Sequence, residues 1–247
     1  MRGIKLKMDK ITEAIILAGG KGTRLRSLVS NVPKPMAEVA SEPFLAHLIK
    51  LWSKNGINSF TISTGYLGHL IENYFGTKFL GCDIRYSRED TPLGTGGGLR
   101  KALITNAWKT SNVLLLNGDT WFEVDPKKLM SDANEAGNEV ITVALKKMAE
   151  NQRYGSVSID ECNKVLDFKG HPIDAGSKCL INGGCYLLNV ESLIKYIINF
   201  PDSFSLESDL LIPLTYARKV SGSIHDQAFL DIGIPEDYLR APEIIDK

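Results

Sequence analysis

The sequence lacks any long apolar run. No apolar stretch approaches the roughly 20 residues that a membrane-spanning helix needs. The start of the chain is basic, but it lacks the apolar segment of a secretory signal peptide. We therefore expect a cytoplasmic protein with no membrane partner, and an N-terminal extension at residues 1–11 before the first strand.

Cysteine and histidine are few and scattered. The cysteines form no C-x-x-C pair and the histidines no i,i+4 pair, so their spacing predicts no zinc site. Without an export signal we expect reduced thiols packed as small apolar residues, although spacing alone leaves a disulfide open. The residues concerned are Cys82, Cys162, Cys179, Cys185, His47, His69, His171 and His225.

An excess of charge of either sign is also absent. Lysine plus arginine and aspartate plus glutamate each number 29, so the formal net charge is zero. Nucleic-acid binders usually carry a basic excess, so no nucleic-acid partner is expected. The 247 residues suffice to bury a full core. Since there is no internal repeat or low-complexity linker, we expect one domain over residues 1–247.

The first half of the chain alternates strand-like and helix-like segments. We predict a helix for which Ser41 is the cap, Pro43 lies in the first turn and Gly56 ends the helix. The other predicted helices are 67–75 and 93–104, and the predicted strands are 14–17, 59–63, 83–86 and 113–116. This order predicts a mostly parallel sheet covered by helices on both faces, with ligands at the carboxyl ends of its strands.

Past Asp125 the rhythm changes to short strand-like runs separated by turn residues. We predict an antiparallel β excursion that closes over a second substrate, followed by helices at 191–198 and near 207–211. The predicted strands of this part are 140–145, 155–159, 164–168 and 185–188. The predicted domain thus has a nucleotide-binding half at about 12–125 and a second-substrate half at about 126–241.

The most informative segment is IILAGGKGTRL at residues 15–25, followed by PKPM at residues 33–36. Glycines let the backbone approach a ligand, and successive N–H groups in such a loop form an anion cradle. The guanidinium of Arg24 and the ammonium of Lys34 suit a polyphosphate. The segment is neither a Walker loop nor the dinucleotide fingerprint. A tight strand-to-helix turn with an ordinary surface arginine is the alternative, but that turn needs no pairing of Arg24 with Lys34.

This motif resembles that of the sugar-1-phosphate nucleotidyltransferases, L-A-G-G-x-G-T-R-L followed by P-K-P. The resemblance runs from about Thr12 to Ala241. It implies a Rossmann-like, glycosyltransferase-A-like α/β fold in which the antiparallel excursion forms the sugar side. It also implies a set of nucleotide-binding residues in the first loop: Leu17, Ala18, Gly19, Gly20, Gly22, Thr23 and Arg24.

Two aspartates follow apolar runs. Asp119 ends the run LLLNGD and Asp231 lies in FLDIG; a carboxylate at a strand end can bring a metal to a triphosphate. Taken alone, Asn-Gly-Asp is equally a common surface turn. The resemblance implies that Asp119 and Asp231 bind Mg²⁺, that Arg24 stabilises the departing phosphates and that Lys34 holds the sugar phosphate.

A second glycine-rich segment, EDTPLGTGGGL, spans residues 89–99. The resemblance places it at the nucleobase, where its glycines would lie flat against a purine and where Glu89, Gly94 and Thr95 would bind. The Glu89 carboxylate complements the adjacent N–H and amino groups of guanine. Adenine would leave an acceptor unsatisfied, at a cost of about 1–3 kcal/mol. The alternative is a mobile loop with a solvated glutamate.

For the sugar phosphate the resemblance implies Gly155 after Tyr154, Asn182 before two glycines, and Lys169. Many family members have Glu-Lys-Pro where this chain has Phe168, Lys169 and Gly170. The glutamate that usually binds a sugar hydroxyl is therefore not evident, and a plain turn lysine is an alternative role for Lys169.

The segments 204–209 and 229–238 resemble the branch of D-glycero-α-D-manno-heptose 1-phosphate guanylyltransferases. That branch implies GTP and the heptose phosphate as substrates, GDP-heptose and pyrophosphate as products, and a role in bacterial surface polysaccharide synthesis. Three alternatives stay open: mannose 1-phosphate with GTP, N-acetylmuramate 1-phosphate with UTP, and a nucleotide-sugar sensor without turnover. The oligomeric state is also open, with a homodimer as one option.

Overall fold

The computed structural model describes residues 10–20, 25, 29, 31–137, 140–148, 154–169 and 179–245. The strands within these ranges are β1 Glu13–Leu17, β2 Glu38–Val39, β3 Glu42–Pro43, β4 Ser59–Thr64, β5 Lys78–Phe79, β6 Cys82–Arg88, β7 Asn112–Asn117, β8 Thr120–Phe122, β9 Ile141–Met148, β10 Ser156–Ile159, β11 Val165–Lys169, β12 Cys179–Asn189, β13 Val220–His225 and β14 Phe229–Asp231. The α-helices are α1 Phe44–Lys54, α2 Gly68–Phe75, α3 Gly94–Thr105, α4 Pro126–Glu135, α5 Val190–Ile197, α6 Ile212–Tyr216 and α7 Pro235–Ile245. A 3₁₀ turn covers Lys34–Met36 and a π-helix covers Leu206–Leu211.

Ten strands form one sheet, whose main path runs β11-β10-β12-β7-β1-β4-β6-β5, with β9 paired to β12 and β13 paired to β9. The centre of this sheet is parallel, since β1 pairs in parallel with β4 and β7, and β4 pairs in parallel with β6. The predicted α/β class, with a mostly parallel sheet flanked by helices, is confirmed. The four strands predicted in the first half are β1, β4, β6 and β7.

Side chains of the central strands are buried on both faces of the sheet, which explains why β1 and β7 are largely unbroken apolar runs. The equally buried β4, with the sequence SFTIST, instead alternates apolar with small polar residues. Ile16 and Leu116 face one core together with Leu48 and Trp52 of α1. On the opposite face, the second core includes Ile15, Leu115 of β7 and Leu99 of α3. Burying each such Leu or Ile side chain contributes roughly 1.5–3 kcal/mol. The carboxyl ends of β1, β4 and β7 are thereby held at one edge.

The second half differs from its prediction in two respects. The predicted strands pair antiparallel, but the excursion also contains an unpredicted strand, β13, which runs parallel to β9. The strand predicted at 185–188 is only the end of β12, whose register shifts between Asn182 and Tyr186. Gly183 and Gly184 resemble a turn in the sequence, but here they form an irregularity inside a strand. This long strand joins β7 of the first half to β9 and β10 of the second.

The start of α1 also corrects a prediction. Ser41 does not cap the helix, because Ala40 and Ser41 adopt positive φ of 47° and 66° in the turn between β2 and β3. The helix begins at Phe44, whose amide donates a 2.9 Å hydrogen bond to the carbonyl oxygen of Ala37.

The cysteines are free thiols. Cys82 and Cys185 are buried as expected, whereas Cys162 is exposed and Cys179 is half-buried. Burial raises the pKa of the Cys185 thiol, so this group is inert. Within the part of the chain that the structure describes, no helix is both long enough and apolar enough to cross a bilayer.

Candidate active site

A cleft of about 800 Å³ opens at the carboxyl ends of the parallel strands. β1, β4 and β7 deliver their following residues to it, because Leu17 is in register with Ser63 on one side and with Asn117 on the other. The residues lining the cleft are Leu17, Ala18, Gly19, Gly20, Leu25, Lys34, Pro35, Gly65, Tyr66, Glu89, Asp90, Thr91, Pro92, Gly94, Thr95, Asn117 and Asp119. All of the predicted nucleotide-binding residues that the structure describes therefore share one cavity.

Gly19 of the first glycine loop and Gly65 after β4 are packed too closely for side chains, whereas a Cβ at Gly20 would meet nothing within 4 Å. A Cβ at Gly19 would lie 2.6 Å from Glu89 Oε1, and one at Gly65 would lie 2.9 Å from the carbonyl oxygen of Gly19. The glycine is thus required by the approach of two neighbouring strand ends. The predictions for Gly22, Thr23 and Arg24 concern positions outside the described residues.

Lys34 joins the two predicted metal-binding aspartates. Its Nζ donates a 2.5 Å hydrogen bond to Asp119 Oδ2 and lies 3.6 Å from Asp231 Oδ1. The Lys34 side chain is 9% exposed, whereas that of Asp119 is 34% exposed. The fold therefore brings together three of the four predicted catalytic side chains, of which Lys34 and Asp119 line the cleft and Asp231 lies beside them.

The two aspartates meet because β8 and β14 form a small antiparallel pair. Asp231 is opposite Thr120 in this pair, and the amide of Ile232 donates a 3.0 Å hydrogen bond to the carbonyl oxygen of Asp119. The amide of Gly233 donates a 2.7 Å bond to Asp231 Oδ1 and so fixes that carboxylate.

Glu89 lines the cleft, but its carboxylate already has partners in the protein. Ser63 Oγ donates to Oε1 at 3.0 Å, and the amide of Leu93 donates to Oε2 at 3.0 Å. The side chain thus joins the end of β4 to the loop before α3. Each carboxylate oxygen has a second lone pair, so a nucleobase N–H can still be accepted.

The second glycine-rich segment packs mainly against protein. A Cβ at Gly94 would lie 2.6 Å from the carbonyl oxygen of Phe204, and Gly96 lies directly against the Phe204 ring. Thr95 Oγ1 also accepts a 2.9 Å hydrogen bond from the Leu206 amide. Flat contact with a purine was the expected reason for these glycines. The structure gives another reason for Gly96, which is that the 204–206 segment must approach α3.

On the predicted sugar side, Asn182 belongs to a polar network. Its Nδ2 donates to Tyr186 Oη at 2.8 Å and to Glu207 Oε1 at 3.4 Å, and its Oδ1 accepts from the Gly184 amide at 3.1 Å. Burial, with the neighbouring Glu207 carboxylate, raises the pKa of the buried Tyr186 phenol. Tyr186 therefore stays neutral.

The other predicted sugar residues lie near the β10–β11 hairpin. Gly155 is exposed and directly precedes β10. Lys169, in β11, is in backbone register with Ser156 of β10. The Lys169 side chain is not among the parts that the structure describes. Among the described residues, neither Gly155 nor Asn182 lines the 800 Å³ cleft. β12 contains Asn182 and pairs with β10, the strand that follows Gly155, so it connects both residues to the cleft. The contact is at Gly184 of β12, where a Cβ would lie 2.7 Å from Nδ2 of the cleft residue Asn117.

Sequence reasoning missed Asn117, Gly65 and Tyr66 as cleft residues. Each follows or ends a central strand, so the rule that ligands bind at the carboxyl ends of parallel strands could have identified them. Tyr66 is the large aromatic residue of this edge, with 36% of its surface exposed.

The donors of the cluster suit a hard divalent cation, because carboxylate oxygens are the protein ligands that Mg²⁺ prefers. Among the residues that the structure describes there is no group of three His, Cys, Asp or Glu side chains arranged for a metal. The two carboxylates alone fit a metal that gains its remaining ligands from phosphate oxygens and water.

Comparison with known proteins agrees with this geometry. The family model described as Nucleotidyl transferase matches residues 13–247. The chain is 42% identical over 229 residues to the D-glycero-alpha-D-manno-heptose 1-phosphate guanylyltransferase of Aneurinibacillus thermoaerophilus, covering 93% of this chain and 96% of that protein. It is 37% identical over 227 residues to the Campylobacter jejuni protein of the same name, covering 92% and 96%.

The fold of the chain is also similar to that of a solved structure. The crystal structure of HddC from Yersinia pseudotuberculosis complexed with GMP-PN superposes with a TM-score of 0.79 and 30% sequence identity. The superposition covers 94% of this chain and 99% of that one.

Proposed function

The chain belongs to the nucleotidyl transferase family, and from that premise we propose that it joins GTP and D-glycero-α-D-manno-heptose 1-phosphate to give GDP-heptose and pyrophosphate. The product would serve bacterial surface polysaccharide synthesis. The 42% and 37% identity to guanylyltransferases with this substrate supports the choice of heptose. A cytoplasmic location belongs to the same proposal, because the reaction consumes GTP.

One observation carries the proposal: Lys34, which lines the cleft, bridges Asp119 and Asp231. A structural ion pair would need only one carboxylate. Two carboxylates beside a glycine loop at the carboxyl end of β1 form a site that would hold a divalent cation next to bound phosphates. Such a cation would supply the charge neutralisation that a reaction between two phosphates requires.

In the proposed reaction an oxygen of the sugar phosphate attacks the α-phosphorus of GTP. A new P–O bond forms there, the bond from the α-phosphorus to the β-bridging oxygen breaks, and pyrophosphate leaves with that electron pair. The attacking phosphate monoester has a second pKa of roughly 6, so near neutral pH it needs little help from a base. The protein therefore acts mainly by positioning the substrates and neutralising their charge.

Asp119 and Asp231 are the residues that would hold a divalent cation, with Mg²⁺ the proposed ion. When bound, such an ion neutralises phosphate charge and orients the α-phosphate. Gly19 and Gly20 are proposed to bind the triphosphate through their backbone groups. Arg24 is proposed to stabilise the departing β- and γ-phosphates. Lys34, once free of the carboxylates, is within the cleft and would meet the sugar phosphate.

In the proposal, different parts of the chain recognise the nucleobase and the sugar phosphate. Glu89, Gly94 and Thr95 are proposed to contact the guanine, and Asn182, Gly155 and Lys169 the sugar phosphate. Asn182 is the best supported of the sugar-side residues, because its amide lies in a polar network with Glu207 next to the β12 irregularity.

Pyrophosphate release tests the proposal. Purified protein with Mg²⁺ is given GTP, ATP, UTP, CTP or dTTP in combination with heptose, mannose or glucose 1-phosphate. We expect release with GTP and the heptose phosphate. Strong release with GTP and mannose 1-phosphate would keep the chemistry and change the substrate. The folded protein is a sensor if it binds GTP but releases no pyrophosphate with any of these acceptors, nor with N-acetylmuramate 1-phosphate and UTP.

A further inference from the structure

The Lys34 ammonium lies between the carboxylates of Asp119 and Asp231, which are the groups that would bind a divalent cation. It lies 2.5 Å from Asp119 Oδ2 and 3.6 Å from Asp231 Oδ1. It is the most buried of the three side chains, at 9% exposure against 34% and 17%. The Lys34 side chain is thus almost enclosed by protein where it lines the cleft.

The local backbone fixes this position. The 3₁₀ turn that begins at Lys34 is closed by hydrogen bonds from the Met36 amide to the Pro33 carbonyl and from the Ala37 amide to the Lys34 carbonyl, at 2.7 and 3.0 Å. Two prolines flank Lys34 and restrict its backbone further. On the other side Gly233 leaves room for the side chain, because a Cβ there would overlap Lys34 Nζ. The lysine is therefore built into the cluster.

An ammonium and a divalent cation compete for this place. The same carboxylate oxygens would have to serve both ions, and two positive charges a few ångströms apart in a partly buried site repel strongly. The β8–β14 pair fixes the backbones of Asp119 and Asp231, and without either ion their carboxylates would repel each other, so a cation stabilises the pair.

We propose that Lys34 is a positioning residue that substitutes for the divalent cation in the nucleotide-free protein. It holds Asp119 and Asp231 together and excludes the metal until nucleotide phosphates arrive. Those phosphates attract the ammonium out of the cluster and supply the further oxygen ligands that the metal needs. The metal therefore binds well only together with the nucleotide. This inference rests on the proposed function for its ligands, but metal binding to the protein alone tests it.

The experiment measures Mn²⁺ binding to the protein without nucleotide, by the loss of the free-ion electron paramagnetic resonance signal. We expect Lys34→Met to bind Mn²⁺ at least ~10-fold more tightly than the unmodified protein, because the competing charge is gone. Lys50→Met is the matched control, since Lys50 pairs with Glu42 on the surface, and its Mn²⁺ affinity should not change. Adding Asp119→Asn to Lys34→Met should abolish the gain.

Equal Mn²⁺ affinity in the unmodified protein and in Lys34→Met would overturn the inference. If Lys34→Met does not fold, Lys34→Gln, which keeps a polar side chain, replaces it. Thermal unfolding gives a second readout: Mg²⁺ alone should raise the Tm of Lys34→Gln but not that of the unmodified protein. If the protein forms no GDP-heptose, the Mn²⁺ affinities still test the role of Lys34. If it forms GDP-heptose but the Mn²⁺ affinities do not differ, only the role of Lys34 is refuted and the proposed function stands.

Discussion

The amide of Ile232 donates a 3.0 Å hydrogen bond to the carbonyl oxygen of Asp119. This contact extends the β8–β14 pair by one residue and sets the Asp231 side chain beside that of Asp119. A three-residue strand near the end of the chain thereby completes a site whose first parts come from β1 and β7. The pair is short, and the Lys34 bridge supports it.

Replacing Asp119 by asparagine should reduce turnover by ~10²–10³-fold, because one charge-stabilising group of the transition state is lost. Circular dichroism and the Tm should remain close to those of the unmodified protein, since the Asp119 side chain is partly exposed. Steady-state pyrophosphate release at saturating substrates measures the effect. Asp83→Asn, which removes an exposed carboxylate paired with Lys78, should leave turnover unchanged. Unchanged turnover in Asp119→Asn would remove this residue from the catalytic machinery.

Replacing Gly233 by alanine should also reduce turnover, because the added Cβ would overlap Lys34 Nζ and lie 2.8 Å from Asp231 Oδ1. We expect a loss of ~10-fold or more, given that small displacements of catalytic groups have large costs. The test is a double-mutant cycle with Lys34→Met. If Gly233→Ala acts through Lys34, it should have little further effect in the Lys34→Met background. Additive losses would show that it acts elsewhere.

Sequence alone predicted the central strands well, for a physical reason. β1, β4 and β7 are buried on both faces. In β1 and β7 this gives a nearly continuous apolar run that needs no knowledge of its neighbours. In β4, with the sequence SFTIST, the alternation of apolar with small and β-branched polar residues indicates the strand. The glycines at the end of β1 and the aspartate after β7 then mark the edge at which a ligand binds.

The remaining features depend on contacts that are distant in sequence. β8 and β14 have three residues each, too few for any periodicity, and they exist because they pair with each other. The Lys34–Asp119 hydrogen bond joins residues separated by 85 positions, so no spacing rule could predict that this lysine lies between the carboxylates. The glycines of α3 likewise acquire their packing role only when the 204–206 segment is in place.

Replacing Glu89 by glutamine separates its structural role from base recognition. Each carboxylate oxygen accepts one internal hydrogen bond, and an amide can accept only one of the two, so the free energy of unfolding should fall by about 1–3 kcal/mol. Urea unfolding measures this change. If Glu89 also accepts from guanine, the preference for GTP over ATP in kcat/KM should fall in the same variant. A loss of stability with the preference intact would limit Glu89 to supporting the loop before α3.

His225 should make folding sensitive to acid. The ring is 2% exposed, its Nε2 lies 2.8 Å from Ser223 Oγ, and its Nδ1 is buried without a hydrogen bond. Burial, aided by the Lys128 charge and opposed by Asp132 and Asp125, lowers the pKa of His225 from 6.5 to about 4. The unfolded chain therefore takes up a proton near pH 6.5 that the folded protein does not accept until about pH 4.

The stability from neutral His225 is thus fully present above pH 6.5 and is lost as the pH falls from 6.5 towards 4, with a total of at most about 3 kcal/mol. His225→Gln should be less stable at pH 7.5, because the packing of the ring against Phe122 is lost. Its free energy of unfolding should nevertheless fall less than that of the unmodified protein between pH 7.5 and pH 4.5. Urea titrations at both pH values measure the difference, and His69→Gln, at an exposed position in α2, serves as the control. Parallel pH dependences for His225→Gln and the unmodified protein would mean that other groups cause the acid sensitivity.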